Sequence, residues 1–303
     1  MTGPLRIGTR GSPLALWQAN HVADLLRPLA APRPVELVLI QTEGDRDATT
    51  SLAHIGGQGV FTKEIQRALL DGTVDVAVHS LKDLPTVAVA GLTLAAVPAR
   101  GPVGDVFISH RHRSFDRLPP HATVATSSLR RRAQALHRRA DLTLTDIRGN
   151  VETRLRKLAE QDLDALILAQ AGLERLGLGD AITEILDPAW MLPAVGQGAL
   201  GLECRADDQA TLDLLHHLDH PPTRQAVLAE RALLRTLVGG CQVPIGAATT
   251  VADGMLTLRG VVLRPDGKQR IEGTVQGPIT EAERLGCQLA EELLTCGARE
   301  FLA

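Results

Sequence analysis

The residues of this chain that could do chemistry lie in short stretches where an apolar run gives way to a turn or a helical pattern. VHSLKDLP (78–85) ends an apolar run on Ser80, Lys82 and Asp83. Ligands of α/β sheets bind beyond the carboxyl ends of strands. Asp83 could there stabilise a developing cation while Lys82 anchors an anion; the plain alternative is a surface ion pair. TVATSSLRRR (123–132) sets Thr126, Ser127 and Ser128 ahead of Arg130, Arg131 and Arg132. Free N–H groups, hydroxyls and the positive end of a helix make an anion site. At about 100° per residue the three arginines cannot all face one ligand, but two can converge on carboxylates with forked hydrogen bonds. An N-cap followed by a solvated basic turn is the alternative. DIRGNVETRLRKL (146–158) repeats the arrangement, with Arg148 at a strand end, a turn at Gly149-Asn150 and Arg154 in the first helical turns. Arg10 and Ser12, at the first such junction of the chain, are candidates for an opposing wall. LVGGCQVP (237–244) puts Cys241 behind two glycines on a loop, where a thiol is a candidate nucleophile.

The charge pattern bears on the partner. Between Arg100 and Lys157 stand twelve Arg and one Lys against five acids, a net of +8, so in a chain of net charge −3 the remainder carries −11. This asymmetry suggests an anionic partner for the middle segment, or else a solvated basic face. Nucleic acid is disfavoured, because the total charge is acidic and aromatic residues make up 2% of the chain, with no Tyr to stack on bases. Neither GxGxxG nor GxxxxGK[ST] occurs, so no nucleotide is specifically indicated. The four cysteines share no short paired spacing and HExxH is absent, so neither a metal site nor a disulfide framework is expected. No signal segment and no membrane-spanning run is visible, and the chain reads as cytoplasmic.

These candidates must be carried by alternating strands and helices. Strands are expected at 5–9, 35–42, 75–80 and 92–98, then at 105–109, 123–128, 142–147 and 165–169. Ser12-Pro13 opens a helix to about Leu29, with Leu14, Trp17, His21, Val22, Leu25 and Leu29 on one face. FTKEIQRALLDG (61–72) is a helix closed by Gly72, and further helices fall near 128–139 and 150–160. After a Pro- and Gly-rich passage, ALGLEC (199–204) could return the chain to the first sheet. From about 219 the order becomes helix (223–237), strands near 243–251, 255–263 and 269–276, then a helix (280–296): a small α+β unit. The polar, glycine-rich 43–59 is long for a loop in a compact domain, and reads as either a lid or a floppy connection. No internal repeat is visible.

Taken together, IGTRGSPLALWQA, VHSLKDLP, TSSLRRRAQ, IRGNVETRL, LPAVGQGALGLECR and VGGCQVPIG resemble the porphobilinogen deaminase (hydroxymethylbilane synthase) family, in order and at matching intervals along essentially the whole chain. The resemblance implies two α/β domains like those of periplasmic binding proteins around a cleft, 1–98 with 194–216 and 99–193, plus an α+β domain, 217–303, carrying the cysteine. It implies a monomeric transferase that joins four porphobilinogen molecules, with loss of ammonia, into the linear tetrapyrrole hydroxymethylbilane for porphyrin and haem biosynthesis. Cys241 would hold a dipyrromethane cofactor by a thioether. Asp83 would be the catalytic carboxylate, stabilising positive charge on pyrrole nitrogens and on the electrophile left when ammonia departs. Ser80, Lys82, Asp83, Ser128, Arg130 and Arg131 would contact the cofactor. Arg10, Ser12, Thr126, Ser127, Arg148, Arg154, Arg175 and Gln197 would bind substrate. The basic middle segment then answers the two carboxylates that each porphobilinogen adds. His54 and Gln58 stand where the family usually has lysines in the lid, which puts handling of longer intermediates in question. Two rivals remain at this stage: a solute-binding module for a polycarboxylate, and a relative that binds without turnover.

Overall fold

The computed structural model describes residues 3–42, 62–237 and 244–302. The chain divides into two compact units, residues 1–101 with 198–224 and residues 102–197 with 225–303. Among the described residues no helix is long and apolar enough to cross a membrane.

The first unit is built on β1 (Leu5–Thr9), β2 (Val35–Leu39), β3 (Val76–Ser80), β4 (Leu92–Ala96) and β10 (Leu200–Arg205), in the order β2-β1-β3-β10-β4. The first three strands are parallel, and β10 runs antiparallel to both neighbours. The returning ALGLEC segment therefore does rejoin the first sheet. Alternation along β1 sends Leu5 and Ile7 to the face covered by α1 (Pro13–Ala30), where they meet Val22, Leu26, Val76 and Leu202. The other face is covered by α2 (Lys63–Leu70), through Ile65 and Leu69. Gly72 closes that helix in the left-handed region, at φ +69°.

The buried face of α1 differs from the expected one. Gln18, Ala19, Val22, Ala23 and Leu26 are buried, whereas Trp17, Leu25 and Leu29 are exposed and Trp17 stacks on His21. The small Ala19 and Ala23 bring the helix close to the sheet, and the larger side chains are left outside.

In the second unit β5 (Asp105–Ile108), β6 (Thr123–Ala125), β7 (Thr143–Thr145), β8 (Ala165–Ala169) and β9 (Glu184–Ile185) form a sheet in the order β7-β6-β8-β5-β9. It repeats the topology of the first. A central strand is flanked by two parallel ones, then by an antiparallel strand and an edge strand. The antiparallel member is in each case the strand laid down just after the chain crosses from one unit to the other. The duplication lies in strand order and left no repeat in the sequence. On one face Val106, Ile108, Leu166 and Leu168 pack with Leu158 of α4 (Val151–Glu160) and Leu173 of α5 (Gln170–Arg175); on the other Phe107 and Ile167 pack with Phe115 and with Ala135 of α3 (Leu129–Arg138). Each fully buried Leu or Ile here contributes about 2 kcal/mol.

The same unit holds an antiparallel meander, β11 (Ile245–Ala252), β12 (Met255–Leu263) and β13 (Arg270–Pro278). With α7 (Pro221–Leu237) and α8 (Ala282–Thr295) it buries Leu233, Leu258, Leu289 and Leu293. Gly286 is what lets α8 lie against α7, since a Cβ there would stand 2.3 Å from the Ala229 carbonyl oxygen. Two short helices are absent from the sequence reading, α5 and α6 (Gln209–His216).

Candidate active site

In the first unit, the ends of β1 and β3 open on one small cavity of about 80 Å³, lined by Arg10, Ser12, Gln18, His79, Ser80 and Asp83. Ser12 caps α1, its Oγ accepting from the Ala15 amide at 3.4 Å. After Ser80 the chain makes one 3₁₀ turn, Leu81–Asp83. Leu81 and Leu84 are buried at its two ends, and the Leu81 amide donates to the Ala199 carbonyl at 3.0 Å. With its apolar ends anchored, the turn presents Lys82 and Asp83 outward. The Asp83 carboxylate has no hydrogen-bond or ion-pair partner among the described residues. Gln18 was not foreseen as a site residue: its side-chain amide nitrogen lies 2.8 Å from Ser80 Oγ. Beneath them His79 is buried with Nε2 3.0 Å from Glu203 Oε2, and Glu203 accepts from Gln66 Nε2 at 3.1 Å.

In the second unit, the two basic junctions lie side by side because β6 and β7 are paired. Ser128 is the N-cap of α3 and accepts from the Arg131 amide at 3.4 Å. Thr126 is buried, its amide bound to the Thr145 carbonyl and its Oγ1 accepting from the Ser128 amide. Ser127 Oγ is engaged with the backbone of Ile147. Thr126 and Ser127, expected to touch substrate, are thus occupied in holding the junctions together.

The three successive arginines diverge as the helical rotation requires. Arg132 turns to the Leu144 carbonyl, while Arg130 and Arg131 point inward to Asp105. Burial alone would raise the Asp105 pKa, but the two guanidiniums override it and hold the carboxyl at about 2. Burial also lowers the Arg131 pKa, against the pull of Asp105. Gln197 is buried in the same cluster, donating from Nε2 to the Val103 carbonyl at 2.7 Å and to Asp105 Oδ1 at 3.0 Å. Its amide is taken up by the protein, which does not favour the expected contact with substrate. Asp105 itself was missed, because it stands 25 residues before Arg130 and only strand pairing brings them together.

Arg148 follows β7, half-buried, and its side chain has no partner among the described residues. Asn150 caps α4 through Thr153, and Arg154 Nε donates to the Gly149 carbonyl at 2.8 Å. Arg175 ends α5, half-buried, with its pKa lowered by burial. Cys241, His54 and Gln58 lie outside the described residues.

Comparison with known proteins adds an independent line. A family profile described as porphobilinogen deaminase, dipyromethane cofactor binding domain, matches residues 5–213, and one described as porphobilinogen deaminase, C-terminal domain, matches residues 224–295. The chain is 52% identical, over 99% of its length, to the porphobilinogen deaminase of Syntrophotalea carbinolica, covering 95% of that protein. It is equally identical to the porphobilinogen deaminase of Geobacter sulfurreducens, over 99% of this chain and 94% of that one. Among solved structures, an ABC transporter periplasmic substrate-binding protein from Coxiella burnetii aligns at a TM-score of 0.44 and 16% identity, over 75% of this chain and 94% of that one. With both profiles matched in sequence order and half the residues shared along its whole length, the chain belongs to the porphobilinogen deaminase family.

Proposed function

We propose that this chain is a cytoplasmic hydroxymethylbilane synthase, a monomer that joins four porphobilinogen molecules head to tail on a dipyrromethane primer bound through a thioether to Cys241. The observation that carries the reading is Asp83, a carboxylate without a partner among the described residues, held at the tip of an anchored turn in the cavity it shares with Arg10, Ser12 and Ser80. A carboxylate in that setting receives pyrrole N–H groups and the positive charge that spreads over them.

The donor set fits a polycarboxylate cofactor. Arg130 and Arg131 carry one more positive charge than Asp105 neutralises, and Arg130 Nε is buried without a hydrogen-bond partner among the described residues. These two arginines, with Ser128, Ser80 and Lys82, would hold the cofactor acetates and propionates. When bound, the group supplies a pyrrole α-carbon to which the next unit is joined. Loss of ammonia as the aminomethyl C–N bond of each porphobilinogen breaks, and formation of the new C–C bond with its displaced proton passing to that ammonia, would be the two events that Asp83 serves. Asp83 stabilises the cation present between those events, the kind of fixed electrostatic help that accounts for much of enzymatic rate enhancement. Arg10, Ser12, Arg148 and Arg154 would grip the incoming carboxylates, with Arg175 as a further cation. We also assign the meander with α7 and α8 to a separate C-terminal domain, 217–303, beside domains 1–98 with 194–216 and 99–193.

The test is the mass of the intact, denatured protein together with bilane release. An excess of two condensed pyrrole units, absent from Cys241→Ala, and steady product formation from porphobilinogen support the reading. A bare polypeptide mass that porphobilinogen does not alter would sink it.

A further inference from the structure

Two buried arginines share one carboxylate in the second unit. Arg130 and Arg131 are 5% and 6% exposed, and Asp105 is 0% exposed. Arg130 Nη1 donates to Asp105 Oδ2 at 2.6 Å, and Arg131 reaches Oδ1 from Nε at 2.9 Å and from Nη2 at 2.8 Å. Fixed acceptors take other donors of the pair: the Ile167 carbonyl from Arg131 Nη1, and the Leu192 carbonyl from Arg130 Nη1. Gln197 Nε2 donates to Asp105 Oδ1 and closes the ring. Two cations and one anion leave the cluster at +1, out of water, where net charge is costly unless a counterion completes it. Arg130 Nε is buried with no hydrogen-bond partner among the described residues.

We propose that Asp105 is a positioning residue: it fixes Arg130 and Arg131, before any ligand arrives, in the arrangement that receives one carboxylate of the cofactor. This rests on the reading of the two arginines as cofactor ligands given above. A free arginine loses rotamer freedom when it binds; here that loss is made on folding. The count of one acid matters too. With a second carboxylate the cluster would be neutral and would attract nothing. With none, two adjacent guanidiniums in one helical turn would repel and swing apart.

The test uses the full-length chain produced without porphobilinogen, and compares wild type with Asp105→Asn and Arg131→Gln. The readouts are guanidinium ¹⁵N–¹H NMR, assigned by deleting one signal at a time with Arg130→Gln and Arg131→Gln, and the porphobilinogen concentration that half-reconstitutes the cofactor by intact mass. In wild type both guanidiniums should exchange slowly before reconstitution. Asp105→Asn should fold with a lowered thermal midpoint, lose those slow signals and need at least ten-fold more porphobilinogen. Its turnover per cofactor-bearing molecule should change less than three-fold, a split that a merely weakened fold would not produce. Reconstitution of Asp105→Asn at wild-type concentrations, while Arg131→Gln fails, overturns the positioning role and leaves the arginine reading intact. Normal reconstitution of Arg131→Gln overturns that reading as well. If Asp105→Asn does not fold, the wild-type spectrum decides: slow exchange upholds a preset pair, and free exchange overturns it.

Discussion

Ser127 Oγ both donates to the Ile147 carbonyl at 2.6 Å and accepts from the Ile147 amide at 3.0 Å. One hydroxyl thereby satisfies both backbone groups of a residue that is 3% exposed, and ties the start of α3 to the peptide that precedes Arg148. Ser127→Ala removes both bonds and leaves two buried backbone groups unsatisfied, at a cost of about 1–3 kcal/mol each. We expect lower stability together with a several-fold rise in KM for porphobilinogen, because Arg148 is no longer held in place. Ser127→Thr, which keeps the hydroxyl, should recover most of both. A change in KM without any loss of stability would instead mean that Ser127 contacts substrate itself.

Acid should unfold this protein through its paired aspartates. Burial works against the charged form of both Asp105 and Asp75. Arg130 and Arg131 nevertheless hold Asp105 at about 2, and Arg6 with Arg205 holds Asp75 below its ordinary value of 3.8. A carboxyl whose folded pKa is depressed stabilises the fold above its unfolded pKa, and that stability is lost as pH falls through the folded value. The window for Asp105 is therefore about pH 4 down to pH 2, and its share is on the order of 2 kcal/mol. Urea midpoints measured from pH 6 to pH 2 should fall across that window. Asp105→Asn should be less stable at pH 6 by about 3–5 kcal/mol and should have lost part of the acid slope. An unchanged slope would assign the acid limb to other groups.

Gly149 is needed where the second basic junction turns. Its φ is +112°, and a Cβ there would stand 2.5 Å from Thr153 Cγ2. Gly149→Ala is thus strained in its backbone and in its contact with α4, a combined cost of about 2–4 kcal/mol. Adding Thr153→Ala should return only part of the steric cost, because the Cβ of residue 153 would still stand 2.7 Å away. Because Arg154 Nε is bound to the Gly149 carbonyl, both variants should also bind porphobilinogen more weakly. Equal stability of Gly149→Ala and wild type would show that the turn can be remade.

Much of this was readable along the chain, and the failures have physical causes. The strands showed as apolar runs ending in turn residues, and Ser12-Pro13 and Gly72 marked helix ends by local chemistry alone. The α1 face was misplaced because its large apolar residues were taken for the core, while the sheet takes Ala19, Ala23 and the polar Gln18. With the right face, Gln18 would have stood out as an amide among apolar neighbours and led to Ser80. Helix α6 did carry a signal, Asp208, whose side chain accepts from the Thr211 amide. Asp105 carried none. Its charge has meaning only once β5 lies against β8 and faces α3, and no local pattern encodes that pairing.

Asp83 gives the sharpest separation of chemistry from stability. It is exposed, it pairs with nothing among the described residues, and its turn is held by Leu81 and Leu84 rather than by its carboxylate. Replacing it should therefore leave the fold within about 0.5 kcal/mol of wild type. Catalysis should suffer far more, since loss of one well-placed electrostatic partner typically costs about 10²–10³ in kcat. Asp83→Asn retains the shape and removes only the charge. We expect it to melt with wild-type protein, to accept the cofactor mass if that is supplied, and to form bilane at least a hundred-fold more slowly. Asp83→Glu should lie between the two, because the charge survives but is moved by one methylene. If Asp83→Asn turned over at near wild-type rate, the cation would have to be stabilised elsewhere, and His79 with Glu203, buried beside the same cavity, would be the next pair to change.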